Sequence, residues 1–331
     1  MDAVRVSIAL ATCNGRQFLS EQLESLLAQT RLPDEIVVGD DNSTDGTRKI
    51  LDEFAARAPF PVHVAVNAPA LGPAANFSRT IARCTGDVIF LCDQDDIWLP
   101  GKIERMLHAL AARPGCIVAV HDAALVDGGG RPLGMTMAGQ LAASRADPAK
   151  GLVAGCCMAF DGRLAALYDP PPRTEFHDAW LTAIADRLDA RTYVPEALIA
   201  YRRHGSNVSQ SFMSSASPAS RWKRAAERIR RAFSRPVGQS LRAALEAEED
   251  ALRALRANRE ALAGMVGKTR LEKAIGQLQT DCERDARRLR IHSSARMRRP
   301  ALVARAVADG VYIGPQGALS LLRDIAGAIR K

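Results

Sequence analysis

Hydrophobic residues in the first part of the chain alternate between short β-rich runs and longer stretches with helical spacing. The predicted strands are Val4–Ala11, Glu35–Gly39, Val62–Val66, Val88–Cys92 and Ile117–Val126. The predicted helices between them are Phe18–Ala28, Thr47–Ala56, Ala74–Cys84 and Lys102–Ala112. Strands that alternate with helices of about ten residues are typical of βαβ units. We therefore expect an α/β domain with a mostly parallel central sheet flanked by helices.

The pattern changes after Gly151. The predicted elements there are strands at Leu152–Phe160, Thr192–Val194 and Leu198–Arg202, and a helix at Asp178–Leu188. A Ser-rich stretch, 206–220, then has the composition of a linker. Beyond it, leucines recur at helical spacing among Arg and Glu and the strand pattern is lost. The sequence therefore predicts two domains, an α/β domain over 1–215 and a basic α-helical region over 216–331.

Charge separates these two parts of the chain. Residues 221–331 contain 25 Lys and Arg against 12 Asp and Glu, whereas residues 1–220 contain 20 against 25. Cations alternate with Trp222 and Phe233 in the segment 221–233, which suits an anionic membrane surface. A solvated helix face and self-association through Leu241–Leu262 are the alternatives, and no motif favours nucleic acid. Without a signal peptide or a long apolar run, we expect a cytoplasmic protein, with peripheral membrane contact as a hypothesis.

Two predicted strands end in clusters of acids. The second strand runs into Gly39-Asp40-Asp41-Asn42-Ser43, where side-chain oxygens could contact a nucleotide or simply form turns and a helix cap. The fourth strand opens directly onto Asp93-Gln94-Asp95-Asp96. Three acids in four positions repel each other unless a cation neutralises them. Carboxylates are ligands that Mg²⁺ and Mn²⁺ prefer, so this segment predicts a metal site; a solvated acidic loop is the alternative.

Two later segments carry candidate acid–base and cationic groups. Asp178 follows His177 at a predicted helix start, where an N-cap role competes with that of a general base. The run Tyr201-Arg202-Arg203-His204 follows a predicted strand. Its guanidinium and imidazole groups could neutralise a diphosphate or complete a metal shell, or could form a basic surface turn.

In this order, the segments VSIALATCNG, VVGDDNSTDGT, GDVIFLCDQDDIWLP, HDAWL and YRRHGSN resemble glycosyltransferase family 2, in particular its bacterial rhamnosyltransferase-like branch. The resemblance covers roughly Val4–Asn207. It implies the GT-A fold and an inverting transfer from a nucleoside-diphosphate sugar to a glycan or lipid-linked acceptor in cell-surface polysaccharide synthesis, with Mg²⁺ or Mn²⁺ as cofactor. The sequence lacks a QxxRW-type processivity motif, which favours addition of a single sugar.

The resemblance also implies roles for individual residues. Thr12 and Asp41 would contact the nucleotide base, and Asp93 the ribose. Asp95 would bind the metal, with Asp96 as support. His204 would lie near the diphosphate and the metal, with Arg202 adjacent to it. Asp178 would be the catalytic base.

Two other functions remain compatible with the residues alone. A nucleotidyltransferase also binds a metal-nucleotide through acids, but its glycine-rich basic loop is reduced here to Asn14-Gly15-Arg16. A non-catalytic scaffold could keep the fold and use its helical region for assembly, although the presence of Asp93, Asp95 and Asp178 together argues against it.

Overall fold

The computed structural model describes residues 4–205, 237–313 and 317–329. The chain divides into two compact units, one of residues 1–214 with 257–272 and one of residues 215–256 with 273–331. The domain limits expected from the sequence remain a prediction, and the structure adds that 257–272 cluster with the first unit. The basic and aromatic segment 221–233 lies outside the described residues.

The first unit is built around one sheet. Its strands are β1 (Val6–Thr12), β2 (Glu35–Asp40), β3 (Val62–Val66), β4 (Val88–Asp93), β5 (Ile97–Trp98), β6 (Val118–Asp127), β7 (Pro132–Thr136), β8 (Met158–Asp161) and β9 (Arg191–Arg203). Its helices before residue 205 are α1 (Leu19–Leu27), α2 (Thr47–Ala55), α3 (Pro73–Ile81), α4 (Lys102–Ala112), α5 (Met137–Ala143), α6 (Pro148–Gly151) and α7 (His177–Arg187). Two 3₁₀ turns, Gly155–Cys157 and Gly162–Tyr168, flank β8.

The strand order is β3-β2-β1-β4-β8-β6-β9-β5, with β7 paired to β6. Strands β1 to β4 are parallel, as the alternation of strands and helices predicts. Strand β8 then pairs antiparallel with both β4 and β6, and β5 pairs antiparallel with β9. The sheet is therefore mixed rather than mostly parallel. Periodicity reports which residues face the core but not strand direction, so the second half of this sheet could not be predicted.

Several predicted elements differ in extent. The two short strands expected around residue 195 form the single strand β9, which pairs in parallel with β6 across two register shifts. The apolar run Leu152–Phe160 is mostly turn, and only its end joins the sheet as β8. The glycine-rich segment after β6 is a hairpin turn that leads into β7. Short strands such as β5 and β7 lack a periodic signal because they contain too few residues.

The core of the first unit lies on both faces of the parallel strands. Strands β1, β2 and β4 are buried along almost their whole length. Helix α3 packs on β1 and β2, α4 packs on β6 and β9, and α1 and α2 contact each other and the strands β5 and β3, respectively. Because β1, β2 and β4 end in Thr12, Asp40 and Asp93, the sheet places polar groups along the edge formed by their carboxyl ends.

The remaining helices are α8 (Val237–Ala257), α9 (Arg259–Val266), α10 (Lys268–Ser293), α11 (Arg299–Ala308) and α12 (Gly317–Ile329). Gly267, at φ +89°, separates α9 from α10. The second unit contains a small apolar cluster of Ile291, Val303, Ala306 and Val311. It also buries Asp324, whose carboxylate binds Arg288, His292 and the Tyr312 hydroxyl. Among the described helices, none combines the length and apolar character needed to span a bilayer.

Candidate active site

The loops after β1, β2 and β4 meet at one edge of the sheet. Gln94 joins the first and third of them, since its Oε1 accepts from Cys13 N at 2.8 Å and its Nε2 donates to Cys13 O at 3.1 Å. Asn14 joins the first and second, because its backbone N–H donates to Ser43 Oγ at 2.8 Å. Gln94 can lie this close to the first loop because residue 15 is glycine; a Cβ there would lie 2.1 Å from Gln94 Oε1. Separate acidic segments of the sequence thus become neighbours.

The acids at the end of β2 accept hydrogen bonds from donors of the protein itself. Asp40 is fully buried and accepts from Thr12 Oγ1 at 3.0 Å, from Ser43 N at 3.1 Å and from Arg48 Nε at 3.1 Å. Asp41 is 5% exposed and accepts from Asn67 Nδ2 at 3.0 Å. Its two oxygens also accept from the backbone N–H groups of residues 71 and 72, at 2.7 and 2.8 Å. This carboxylate therefore fixes the loop that leads into α3.

Thr12 and Asp41 were predicted to contact the nucleotide base, and the geometry gives both a structural task. Thr12 is 1% exposed, its hydroxyl donates to Asp40, and its carbonyl accepts from Asp41 N at 2.8 Å. The structure thus brings them to the correct edge of the sheet with their hydrogen-bonding groups already engaged. The base contact that the resemblance implies is untested, and these hydrogen bonds favour a structural role for both residues.

The acids at the end of β4 are much less well satisfied. Asp96 is fully buried; its Oδ1 accepts from Arg202 N at 3.1 Å, but no donor among the described residues reaches its buried Oδ2 with hydrogen-bond geometry. Burial beside Asp95 raises the pKa of Asp96 to about 7. Burial, together with Asp95, Asp96 and Asp178, raises the pKa of Asp93 well above its usual range. Negative charge is therefore crowded here.

Asp95 and His204 form the accessible part of this cluster. His204 Nε2 lies 2.8 Å from Asp95 Oδ2, and the two side chains are 13% and 15% exposed. The His204 ring packs on Phe18 with centroids 4.5 Å apart. Deeper in the site, Asp93, Asp96 and Cys156 each place one ligand atom within 4.8 Å of the others. An imidazole, crowded carboxylates and an orphaned carboxylate oxygen suit a divalent cation, so these residues fit the predicted metal.

Arg202 supports the segment Asp93–Asp96 at the end of β4, here called the acidic loop. Its side chain is 2% exposed; Nε donates to Asp95 O at 3.0 Å, Nη1 donates to Gly128 O at 3.1 Å, and Nη2 pairs with Glu21. Its guanidinium also lies over the Phe18 ring, 4.8 Å from the centroid. The geometry thus shows Arg202 fixing the loop that carries Asp95. Direct binding of Arg202 to a diphosphate remains a prediction.

Asp178 lies in the first turn of α7 and is half-buried. Its Oδ2 accepts from Gly155 N at 2.9 Å, and its charge contributes to the raised pKa of Asp93. The predicted base and the acidic loop are therefore electrostatic neighbours. Its neighbour His177 stacks on Phe77 with centroids 4.2 Å apart, and burial lowers the pKa of His177 to about 4. His177 is therefore neutral near pH 7.

Sequence reasoning missed Lys102, the first residue of α4. This side chain has no solvent exposure; Nζ donates to Cys156 O at 2.6 Å and lies 3.6 Å from the centroid of the Trp98 ring. A signal existed, because Lys102 shares the buried face of the predicted helix with Ile103 and Met106. A charged residue on that face, just after an acidic cluster, indicates internal charge compensation.

The sequence model of Glycosyl transferase family 2 matches residues 7–164. An uncharacterized glycosyltransferase of Nostoc sp. is 30% identical over 125 residues, which cover 38% of each chain. The dTDP-rhamnosyl transferase RfbG of Shigella flexneri is 35% identical over 105 residues, which cover 30% of this chain and 36% of RfbG. The alignments thus span little more than a third of each relative.

A crystal structure of S. aureus TarS 1–349 in complex with UDP is 17% identical, with a TM-score of 0.49, over 84% of this chain and 90% of that one. The matched residues 7–164 contain β1 to β4, the acidic loop and the Gly155–Cys157 turn that holds Asp178. Residues 7–164, just under half of the chain, thus match the Glycosyl transferase family 2 domain.

Proposed function

We propose that this protein is an inverting glycosyltransferase that moves one sugar from a nucleoside-diphosphate donor to a hydroxyl of a glycan or lipid-linked acceptor. The observation that carries the proposal is the juxtaposition of a partly accessible Asp95–His204 pair, crowded acids and Asp178 at one sheet edge. A scaffold protein would have no need for such an electrostatically costly arrangement.

Asp95 and His204 would hold Mg²⁺ or Mn²⁺, with Asp93 and Asp96 close by. When bound, the cation would supply charge stabilisation for the departing diphosphate. Arg202 keeps the carbonyl of Asp95 in place, so the loop is preorganised before the donor binds.

Asp178 would act on the acceptor. Its carboxylate takes the proton of the attacking hydroxyl while that oxygen forms a bond to the anomeric carbon, and the bond from this carbon to the diphosphate oxygen breaks. Attack from the face opposite the leaving group inverts the anomeric centre. One positioned base is sufficient for this single displacement, and Asp178 is held for it by Gly155 N.

The donor is the first property to test. Sugar nucleotides, including dTDP-rhamnose and UDP-sugars, would be screened by thermal shift with Mg²⁺ and with Mn²⁺, and those that bind would be assayed with glycan and lipid-linked acceptors. We expect release of free nucleoside diphosphate and a product of inverted configuration. Release of pyrophosphate would instead establish a nucleotidyltransferase. In Asp178→Asn, turnover should be abolished while Mn²⁺-dependent nucleotide binding is retained; unchanged turnover would remove Asp178 as the base.

We also propose peripheral contact with an anionic membrane at the cytoplasmic face, where a lipid-linked acceptor would be presented. The support is the excess of Lys and Arg after residue 220. Replacing the Lys and Arg residues of 221–235 by Gln in the full chain should reduce cosedimentation with phosphatidylglycerol vesicles. Vesicles of phosphatidylcholine alone are the control, and equal binding by both proteins would contradict the proposal. Size-exclusion chromatography with light scattering would test self-association through the helical region.

A further inference from the structure

Lys102 is a buried cation beside the acidic loop. Fully buried lysines are rare because removing an ammonium from water is costly unless other groups compensate. Lys102 has two such groups, the Cys156 carbonyl at 2.6 Å and the face of the Trp98 ring at 3.6 Å. Burial lowers the pKa of Lys102, and the negative charge of Asp96 opposes this effect. The side chain is thus kept in place by the site that surrounds it.

The charge of Lys102 acts on the acids of the acidic loop. Cys156, whose carbonyl accepts the Lys102 hydrogen bond at 2.6 Å, also places its Sγ within 4.8 Å of a carboxylate oxygen of Asp93 and of Asp96, so the ammonium lies beside these acids. The acidic loop therefore already has one internal counter-charge beside it, on α4. A divalent cation at Asp95 and His204 would encounter a site whose negative charge is partly offset from within.

The hydrogen bond of Lys102 acts on a different part of the site. Its acceptor, Cys156 O, belongs to the Gly155–Cys157 turn, and the Gly155 N–H of that same turn donates to Asp178 Oδ2 at 2.9 Å. A Cβ at Gly155 would lie 3.6 Å from the Asp178 Cβ, so the turn packs directly on this side chain. One short turn therefore links the ammonium to the candidate base.

We propose that Lys102 is a positioning residue with two separable effects, offsetting the charge of the acidic loop through its ammonium and fixing Asp178 through the Gly155–Cys157 turn. The charge effect is measured with a metal alone, whereas the effect on Asp178 is measured by turnover and therefore rests on the proposed function. Removing the charge should strengthen metal binding and slow turnover.

The first experiment measures Mn²⁺ binding to Lys102→Met by calorimetry or electron paramagnetic resonance at pH 8. Methionine has a similar length and no charge. Because a positive charge near the site is lost, we expect Mn²⁺ to bind at least about fivefold more tightly than to the wild type. Lys102→Arg, which keeps the charge, should stay within about twofold. Unchanged or weaker binding by Lys102→Met would overturn the charge effect, and weaker binding is what a merely structural role predicts.

The second experiment measures turnover of the same variant with the donor identified by the screen. Loss of the hydrogen bond to Cys156 O should loosen the turn that holds Asp178, so we expect kcat to fall at least about tenfold while the donor KM changes less than about threefold. Tighter metal binding combined with slower turnover separates positioning from general damage. Lys49→Met is the matched control, because Lys49 is an exposed lysine on α2 and should change neither quantity.

A third pair of variants tests the turn without touching Lys102, and it decides the positioning effect if Lys102→Met fails to fold. Gly155 is the first residue of a 3₁₀ turn and follows Ala154 in extended conformation, which suits proline. Gly155→Pro removes the N–H that holds Asp178, whereas Gly155→Ala keeps it and adds only ordinary contacts. We expect kcat of the proline variant to fall at least about tenfold below that of the alanine variant, with equal Mn²⁺ affinity. Equal turnover by the two would overturn the positioning effect while Asp178→Asn still tests the proposed function.

Discussion

The ends of β2 and β4 both carry adjacent acids at the same edge of one sheet, but the two sets of acids differ in the hydrogen-bond donors around them. Asp40 and Asp41 at the end of β2 are surrounded by donors, including one guanidinium, two hydroxyls and several backbone N–H groups. At the end of β4, Asp96 leaves one buried oxygen without a hydrogen-bond donor among the described residues, and burial among other carboxylates raises the pKa of both Asp93 and Asp96.

This difference teaches that crowded acids alone do not identify a ligand site. Acids that the fold satisfies with its own donors serve structure, as Asp41 does for the loop before α3. Acids that remain unsatisfied after folding are candidates for an external cation. The two strand ends have similar sequences, and only the positions of donors far away in the chain distinguish them.

Among variants at the two strand ends, the largest effect should come from Asp95→Asn, which removes charge from the accessible pair with His204. We expect turnover with Mn²⁺ to fall at least about 100-fold, with the melting temperature changed by no more than about 3 °C. Asp41→Asn is the matched control at the other strand end and should keep turnover within about tenfold. Equal losses in the two variants would show that Asp41 contacts the donor, so that the acids at the ends of both β2 and β4 would serve catalysis.

Asp40→Ala should be mainly a stability variant. It leaves Arg48, Thr12 and Ser43 without their shared acceptor, so we expect the free energy of unfolding to fall by about 3 kcal/mol in urea titrations. Asp52→Ala, at an exposed position of α2, should change it by less than about 0.5 kcal/mol. A loss below about 1 kcal/mol would mean that the donors around Asp40 are readily satisfied by water.

Asp96 predicts a pH dependence of stability in protein kept metal-free with a chelator. Its pKa of about 7 in the folded state exceeds its usual value of 3.8, so the unfolded state loses its proton first as pH rises. Stability should therefore fall between about pH 4 and pH 7 and level off above. In Asp96→Asn, the decrease in unfolding free energy over this pH range should be smaller by about 2 kcal/mol. The remaining decrease comes from neighbouring carboxylates, whose titration is coupled to that of Asp96. Parallel pH profiles for wild type and variant would show that Asp96 ionises normally.

Thr12→Val should have the smallest effect. The hydroxyl donates to Asp40, so its loss should cost about 1 kcal/mol of unfolding free energy and leave nucleotide affinity within about twofold. In an Asp40→Ala background the same substitution should cost almost nothing, which a double-mutant cycle would measure. A tenfold loss of nucleotide affinity would instead support the predicted base contact of Thr12.

The parallel half of the fold could be predicted because β1 to β4 and the helices between them are long, periodic and local in sequence. Strand β8 and the direction of β9 could not, because their pairing depends on contacts between distant segments. The residue types of the acidic segments and of Asp178 made them candidates for the site, and their roles remain predictions. The groups that stabilise these acids could not be predicted, because they come from distant parts of the chain: Lys102 bonds to Cys156 across 54 positions and Arg202 to Asp95 across 107.

Residues 257–272 give the first unit a discontinuous sequence. Within that unit, Arg270 Nη1 donates to Asp189 O at 3.4 Å, and a Cβ at Gly115 would lie 3.5 Å from Met265 O. A recombinant fragment that stops near residue 215 would therefore omit part of the body that carries the acidic loop. Leu262 and Val266 are buried in the intact protein, so a fragment without them should expose the apolar surface that they cover and should be prone to aggregate. A fragment extended through residue 272 would keep these two side chains with their unit.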